Sequence, residues 1–243
     1  MIVNTHQTGW EIIHQRAHGL LAMKIASHWR KDQRPKRWIE TLVAIAEHDD
    51  AQEDWQETNH LNPSGAPLDF SLKPFNMIQL RRITELSQHK GRWIAMLISM
   101  HMSFLYEEKR GQNKVIDEFL ELQLANQKKW RKELTVSIKE AKHAYALMQW
   151  CDRFSLILCR NELPEAERTL EISKGPDGKR YEVRQLSDQS VVVHPWPFEE
   201  DTFELSIETA VLSQLSFKND RHLIDFILNA PITVKQWMLR KGV

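Results

Sequence analysis

LVAIAEHDDAQEDWQE, residues 42–57, begins as an apolar-periodic helix and ends with His48, Asp49, Asp50, Glu53 and Asp54 inside two turns. Leu42, Ile45 and Ala46 mark the inward face of a helix predicted over about 38–47. A helix C-terminus favours a cation, which accounts for a charged His48, but carboxylates there oppose the helix dipole. A charged cap therefore explains half of the cluster. A metal centre explains both halves, because imidazole and carboxylate together suit one divalent ion. That reading requires other helices to bring further ligands to the end of this one.

Apolar residues recur at helical spacing on either side of this stretch. Leu20, Leu21, Ile25 and Trp29 predict a first long helix from about His14, and the basic run to Lys36 with Pro35 ends it. Further helices are expected at about 77–89, 92–108, 114–134 and 137–159, and Pro164 closes the helical portion. Residues 58–76, with three prolines and a glycine, read as a long ordered loop of the kind that often serves function. Beyond Pro164 the texture becomes short strands: RTLEIS and RYEVRQL about a Gly175-Pro176-Asp177-Gly178 turn, then SVVVHPW and TFELSIETAVLS. A short helix is expected over 220–229 and a last strand over 233–239. Residues 1–13 suggest a hairpin, which is marginal alone and so should join the C-terminal strands. The expected organisation is one α+β domain over 1–243, with a helical core at 14–160 and a β-rich portion of 1–13 plus 165–243 packed on it.

Lysine plus arginine number 33 and aspartate plus glutamate 33, so no net field draws the chain to a nucleic-acid polymer or an anionic membrane. No apolar run approaches a membrane span, and MIVNTHQTGWEII lacks the pattern of a signal peptide. Cys151 and Cys159 fall eight apart on one predicted helix, too far for a disulfide. A cytoplasmic setting is the expectation.

Three other polar positions stand out. His18 lies on the Leu21, Ala22 and Ile25 side of the first helix, and His101 sits inside WIAMLISMHMSFLY. Asp152 sits in ALMQWCDRFSLILC, where a carboxylate costs several kcal/mol unless paired or metal-bound. The alternatives are a satisfied core histidine for His18, a carbonyl-bonded one for His101, and an ion pair with Arg153 or Lys142 for Asp152. Asp50, Glu53 and Asp54 are either solvated or supply one general acid.

The stretches HQRAHGLLA, AIAEHDD and WCDRFSL resemble the His, His-Asp, Asp pattern of the HD-domain metal-dependent phosphohydrolases. The wider set HQRAHGLLAMKIASHW, AIAEHDDAQEDW, LNPSGAPLDF, LISMHMSFLY and CDRFSLILC is similar to the bacterial family called domain of unknown function 3891. The resemblance implies an HD-like all-helical bundle followed by a small antiparallel β-sheet that the N-terminal hairpin joins. It implies His18, His48, Asp49 and Asp152 as ligands of a first zinc, manganese or iron ion. His101 would be a ligand of a second ion or a contact to phosphate. Read from the residues themselves, Lys142 and Arg153, near Asp152 in sequence, are the groups that would neutralise substrate phosphate, and Asp49, Asp50 and Glu53 are the acid–base candidates. The HDxGW continuation of relatives is absent, since Ala51 and Gln52 stand there, although Trp55 is kept. The implied activity is hydrolysis of a small phosphoester or nucleotide-type substrate by a possible homo-oligomer. A non-catalytic regulatory module and a di-iron oxygenase are the alternatives.

Overall fold

Helix α6 (Ile138–Cys159) is the axis around which the rest assembles. Its buried residues include Ala144, Leu147, Trp150, Cys151, Phe154 and Leu158, so apolar groups surround it on most sides and it must lie inside. Ser137 and Glu140 form a reciprocal capping box that fixes where it starts. In the computed structural model, which describes residues 1–49, 59–74 and 76–242, α1 (Gln15–Ser27), α2 (Trp38–Ala46) and α4 (Arg92–Tyr106) pack against it. Helix α3 (Met77–His89) lies on α4, and α5 (Lys114–Glu133) covers the opposite flank of α4. Asn76 and Asn113 cap α3 and α5 with their side-chain oxygens. These six helices fall within a few residues of the predicted spans. Among the described residues no helix is long and apolar enough to cross a membrane, and both cysteines are free and buried on α6.

The sheet departs from expectation. It has seven strands: β1 (Ile2–His6), β2 (Gly9–Ile13), β3 (Leu170–Lys174), β4 (Arg180–Gln185), β5 (Val191–His194), β6 (Thr202–Leu212) and β7 (Ile232–Arg240). Their order is β1-β2-β6-β7-β5-β4-β3, and the β5–β7 pair is parallel while the others are antiparallel. The expectation of an HD-like all-helical bundle followed by a small antiparallel sheet is thereby overturned. The chain is an α+β fold whose mixed sheet curls into a half-barrel against the helices. The physical reason lies in the last strand. After α7 (Asp220–Asn229), β7 returns between β6 and β5 and runs parallel to β5, a pairing that no local pattern encodes.

The sheet is buried on both faces where the hairpin joins it. Successive strand residues point to opposite faces. Ile13 enters the core shared with α1 and α6, whereas Ile12 packs with Leu212, Phe217, Leu223 and Ile227 beneath α7. Pairing of Trp10 with Leu212 and of Ile12 with Ala210 ties the hairpin to β6. The loop after residue 58 is fastened to this edge. Asp69 accepts from the Val3 amide at 3.0 Å and from the Arg160 guanidinium at 3.0 Å. His60 is buried in this loop.

Helices α1 and α2 approach at Gly19. A Cβ built there would stand 2.4 Å from the Ala46 carbonyl oxygen, closer than two such atoms tolerate. In an ordinary helix interior, glycine to alanine gains up to about 1 kcal/mol. Here Gly19→Ala is expected to lose about 1–3 kcal/mol by overpacking, lowering the melting temperature by several degrees in thermal denaturation. A raised melting temperature would show that the helices are not in this contact.

Candidate metal centre

The Gly19 contact sets His18, one residue earlier on α1, against His48 in the turn after α2. Their rings meet edge to face with centroids 4.9 Å apart, and His101 from α4 meets His48 likewise at 5.0 Å. All three imidazoles are buried. Asp152 of α6 completes the convergence. Its Oδ1 lies 2.9 Å from His18 Nε2 and 3.1 Å from His48 Nε2, and its Oδ2 lies 3.9 Å from His101 Nε2. Asp49 Oδ2 stands 3.5 Å from His48 Nε2 and 3.8 Å from His18 Nδ1. Five residues distant in sequence thus gather at one point.

Backbone carbonyls decide the tautomers. His18 Nδ1 lies 2.8 Å from the Gln15 carbonyl oxygen and His48 Nδ1 lies 2.7 Å from that of Ile45. A carbonyl only accepts, so each Nδ1 carries the proton and donates it. In the neutral ring Nε2 then holds a lone pair. Two such lone pairs converge on a single carboxylate oxygen, an arrangement that repels unless positive charge lies among them. A proton on one ring relieves one contact; a divalent cation relieves all of them and neutralises Asp49 as well. Hydrogen bonding of the far ring nitrogen to a carbonyl is also how metal-binding histidines are oriented.

The electrostatics show how strongly the cluster favours positive charge, which a proton on His48 supplies when no cation is bound. Burial opposes charge on His48, but Asp49 and Asp152, with the hydrogen bonds to Asp152 and the Ile45 carbonyl, outweigh it and hold its pKa up at about 10. Burial likewise opposes ionisation of Asp152, yet His48, His18 and His101 keep its carboxyl well below the ordinary range. Asp49 is lowered in the same way, burial being overcome by His48 and His18. His101 goes the other way: burial drives it down to about 4 despite Asp152, leaving a neutral ring. Its Nδ1 is buried without a hydrogen-bond partner among the described residues.

The donor set fits a transition metal. His18, His48 and Asp49 offer ligand atoms all within 4.8 Å of one another, and so do His48, His101 and Asp152. Ligands held about 2.0–2.2 Å from a tetrahedral ion stand roughly 3–4 Å apart, and the Nε2-to-carboxylate separations here run from 2.9 to 3.9 Å, within or just below that range.

Other sequence-derived candidates lie elsewhere. Lys142 is exposed on α6, ten residues before Asp152, which places its backbone about 15 Å along the helix. Arg153 turns away from Asp152 and pairs with Glu162 at 3.0 Å. Neither joins the cluster: Arg153, the next residue along, points to another side of the helix, and Lys142 lies too far along it. Asp50, Glu53, Asp54 and Trp55, like Ala51 and Gln52, lie outside the described residues.

Two participants went unread in the sequence. Gln15 is fully buried and donates from Nε2 to Asp49 Oδ2 at 2.8 Å, so it aims that carboxylate. Its position three residues before His18, on the same helix face, was the available signal. Tyr145, two turns before Asp152 on α6, has a buried hydroxyl and its ring near His101 at 6.3 Å. Burial and the Asp152 charge both raise its pKa.

A recess of about 320 Å³ opens beside the cluster. Asp49 lines it, together with Phe70, Lys73, Gln79, Tyr106 and Lys109. Part of the 58–76 loop therefore walls the approach to the centre.

The family described as "Protein of unknown function (DUF3891)" matches residues 1–214. The chain belongs to that family. The match takes in every DUF3891 residue gathered at the centre, the recess beside it, and the sheet through β6. Curated proteins and solved structures contain no match to this DUF3891 chain.

Proposed function

We propose that this DUF3891 protein is a metal-dependent hydrolase of a phosphoester or nucleotide-type substrate, with His18, His48, Asp49 and Asp152 as the metal ligands. The observation that supports this most is the convergence of His18 Nε2 and His48 Nε2 on Asp152 Oδ1 at 2.9 and 3.1 Å. The order His, His-Asp, Asp along the chain is that of the HD-domain phosphohydrolases, so the analogy rests on the ligand set and not on the fold. Bound there, a divalent cation lowers the pKa of water and polarises a phosphoryl oxygen. Water adds to phosphorus, the P–O bond to the alcohol breaks, and the proton released by water ends on the departing alkoxide.

The chain's own groups do the positioning. Gln15 holds Asp49 at one edge of the cluster. Asp49 faces His18 and His48 and also lines the recess, so it can orient the attacking water and hold its proton in transit. His101, neutral and with its second nitrogen beside Asp152 Oδ2, extends the donor set towards a second ion or a substrate oxygen.

Elemental analysis of the purified protein tests the centre. About one zinc, manganese or iron per chain is expected, falling more than about a hundredfold in affinity in His48→Ala, beyond the loss typical of removing an outer partner. Turnover of a phosphoester panel should fall with it. Failure to hold any of these metals after reconstitution would overturn the reading. Tightly held metal with no turnover would favour a binding module, and iron with oxygen consumption an oxidase.

A further inference from the structure

Gln15 meets the cluster with both its backbone and its side chain. Its backbone carbonyl oxygen takes the Nδ1 proton of His18 at 2.8 Å, and its side-chain Nε2 donates to Asp49 Oδ2 at 2.8 Å. The remaining polar atom is the side-chain oxygen. The residue is fully buried, and Oε1 has no hydrogen-bond partner among the described residues. The amide cannot be turned round to change this. A carboxylate only accepts, so the end that faces Asp49 must be the nitrogen and the other end the oxygen. Bond lengths of about 1.23 and 1.33 Å set the oxygen and nitrogen of one amide about 2.2 Å apart. With 2.8 Å from Nε2 to Asp49, Oε1 lies no more than about 5 Å from Asp49 Oδ2. That carboxylate oxygen is itself 3.5 Å from His48 Nε2 and 3.8 Å from His18 Nδ1. The bare acceptor therefore stands at the edge of the ligand cluster.

A buried acceptor left without a donor destabilises the fold, so its place here calls for a donor from outside the chain. Burial restricts that donor to something small. A water molecule fits, and Oε1 and Asp49 give it two of the polar partners that a buried water needs. Both partners are acceptors, and one water has two O–H bonds to give them.

We propose that Gln15 is a catalytic residue of this centre, with its Oε1 accepting one hydrogen of the attacking water while Asp49 accepts the other. The inference rests on the metal-dependent hydrolase reading for the reaction itself. With both hydrogens held, the lone pairs of the water are left for the cation and for phosphorus. The oxygen adds to phosphorus, and the P–O bond to the alcohol breaks. Asp49 takes one proton and passes it to the departing alkoxide. The hydrogen held by Oε1 stays on the product as a phosphate O–H, so the amide neither gains nor loses a proton.

The test is a structure of the metal-loaded protein at a resolution that shows ordered water, with metal content measured on the same batch. Gln15→Met is studied beside it, since methionine keeps the length of the side chain and removes the amide. In the unchanged protein a water oxygen is expected about 2.7–3.2 Å from Gln15 Oε1 and within hydrogen-bond reach of Asp49. In Gln15→Met that water should be gone. Metal affinity should fall about tenfold to a hundredfold, because the bond from Nε2 to Asp49 goes too, so turnover is compared at saturating metal. There kcat on p-nitrophenyl phosphate and bis(p-nitrophenyl) phosphate is expected to fall on the order of a hundredfold with KM little changed. A metal-loaded centre that leaves Oε1 without a water donor, or full kcat in Gln15→Met, overturns the proposal and leaves the metal reading standing. Where Gln15→Met does not fold, the structure of the unchanged protein decides alone. If no sample holds metal, the metal reading fails and takes this proposal with it.

Discussion

Asp152→Ala is expected to abolish metal binding and to remove phosphoester turnover altogether, because Asp152 is the carboxylate that both His18 and His48 address. The same change should destabilise the metal-free protein. It leaves the charge favoured on His48 facing Asp49 alone and removes the carboxylate that both rings address. Breaking a buried charged pair from one side costs about 3–5 kcal/mol, a fall in melting temperature on the order of 10 °C for a chain of this size. Asp152→Asn separates the two effects. Its amide can turn an N–H towards the lone pair of a neutral Nε2, so the ring contacts are satisfied without charge. Most of the stability should return while metal binding does not. If Asp152→Ala retained stoichiometric metal, the cluster would be an ion-pair network and not a metal centre. Thermal unfolding and elemental analysis of the two variants, side by side, decide between them.

The convergence of histidines and aspartates was legible because its members break local rules. His101 interrupts the apolar run of α4, and Asp152 interrupts an α6 that is apolar on most sides. Such positions demand compensation, and compensation means a partner from elsewhere. The helices were legible for a related reason: their stripes and caps, such as Ser137 with Glu140, act within a turn or two. Sheet order was not, because the alternation in β6 and β7 shows that each is a strand but not which strand lies beside it. Lys142 and Arg153 were placed near the site by sequence distance alone. Nearness along a helix is not nearness in space, and Arg153 shows it by pairing with Glu162. Lys73 and Lys109 gave the opposite lesson. They are 36 positions apart in the sequence and line one recess, brought there by the packing of α3 on α4.

Removing residues 215–243 is expected to have the largest effect of all, although the family match ends at residue 214. The deletion takes out β7, which pairs with β6 from Thr202 opposite Arg240 to Ala210 opposite Ile232 and separates β6 from β5. Two strand edges would open in the middle of the sheet, with Val191, Phe203, Leu205 and Ile207 losing their cover. Trp237 and Leu239 leave the main core, and Phe217, Leu223 and Ile227 leave the smaller one beneath which Met1 and Ile12 lie. At about 1.5–3 kcal/mol for each buried side chain, these five contribute on the order of 10 kcal/mol, comparable to the whole stability of an ordinary domain. The shortened chain should therefore aggregate or unfold without a cooperative transition, and it should hold no metal, because α1, which carries His18, packs on β6. Trp237→Ala is the graded version: it should cost about 3–5 kcal/mol and leave a folded, metal-competent protein. A soluble 1–214 fragment that melts cooperatively and binds metal would mean that the helices assemble their centre without the completed sheet. The long register shared by β6 and β7, together with the aromatic and aliphatic side chains they bury, argues that they do not.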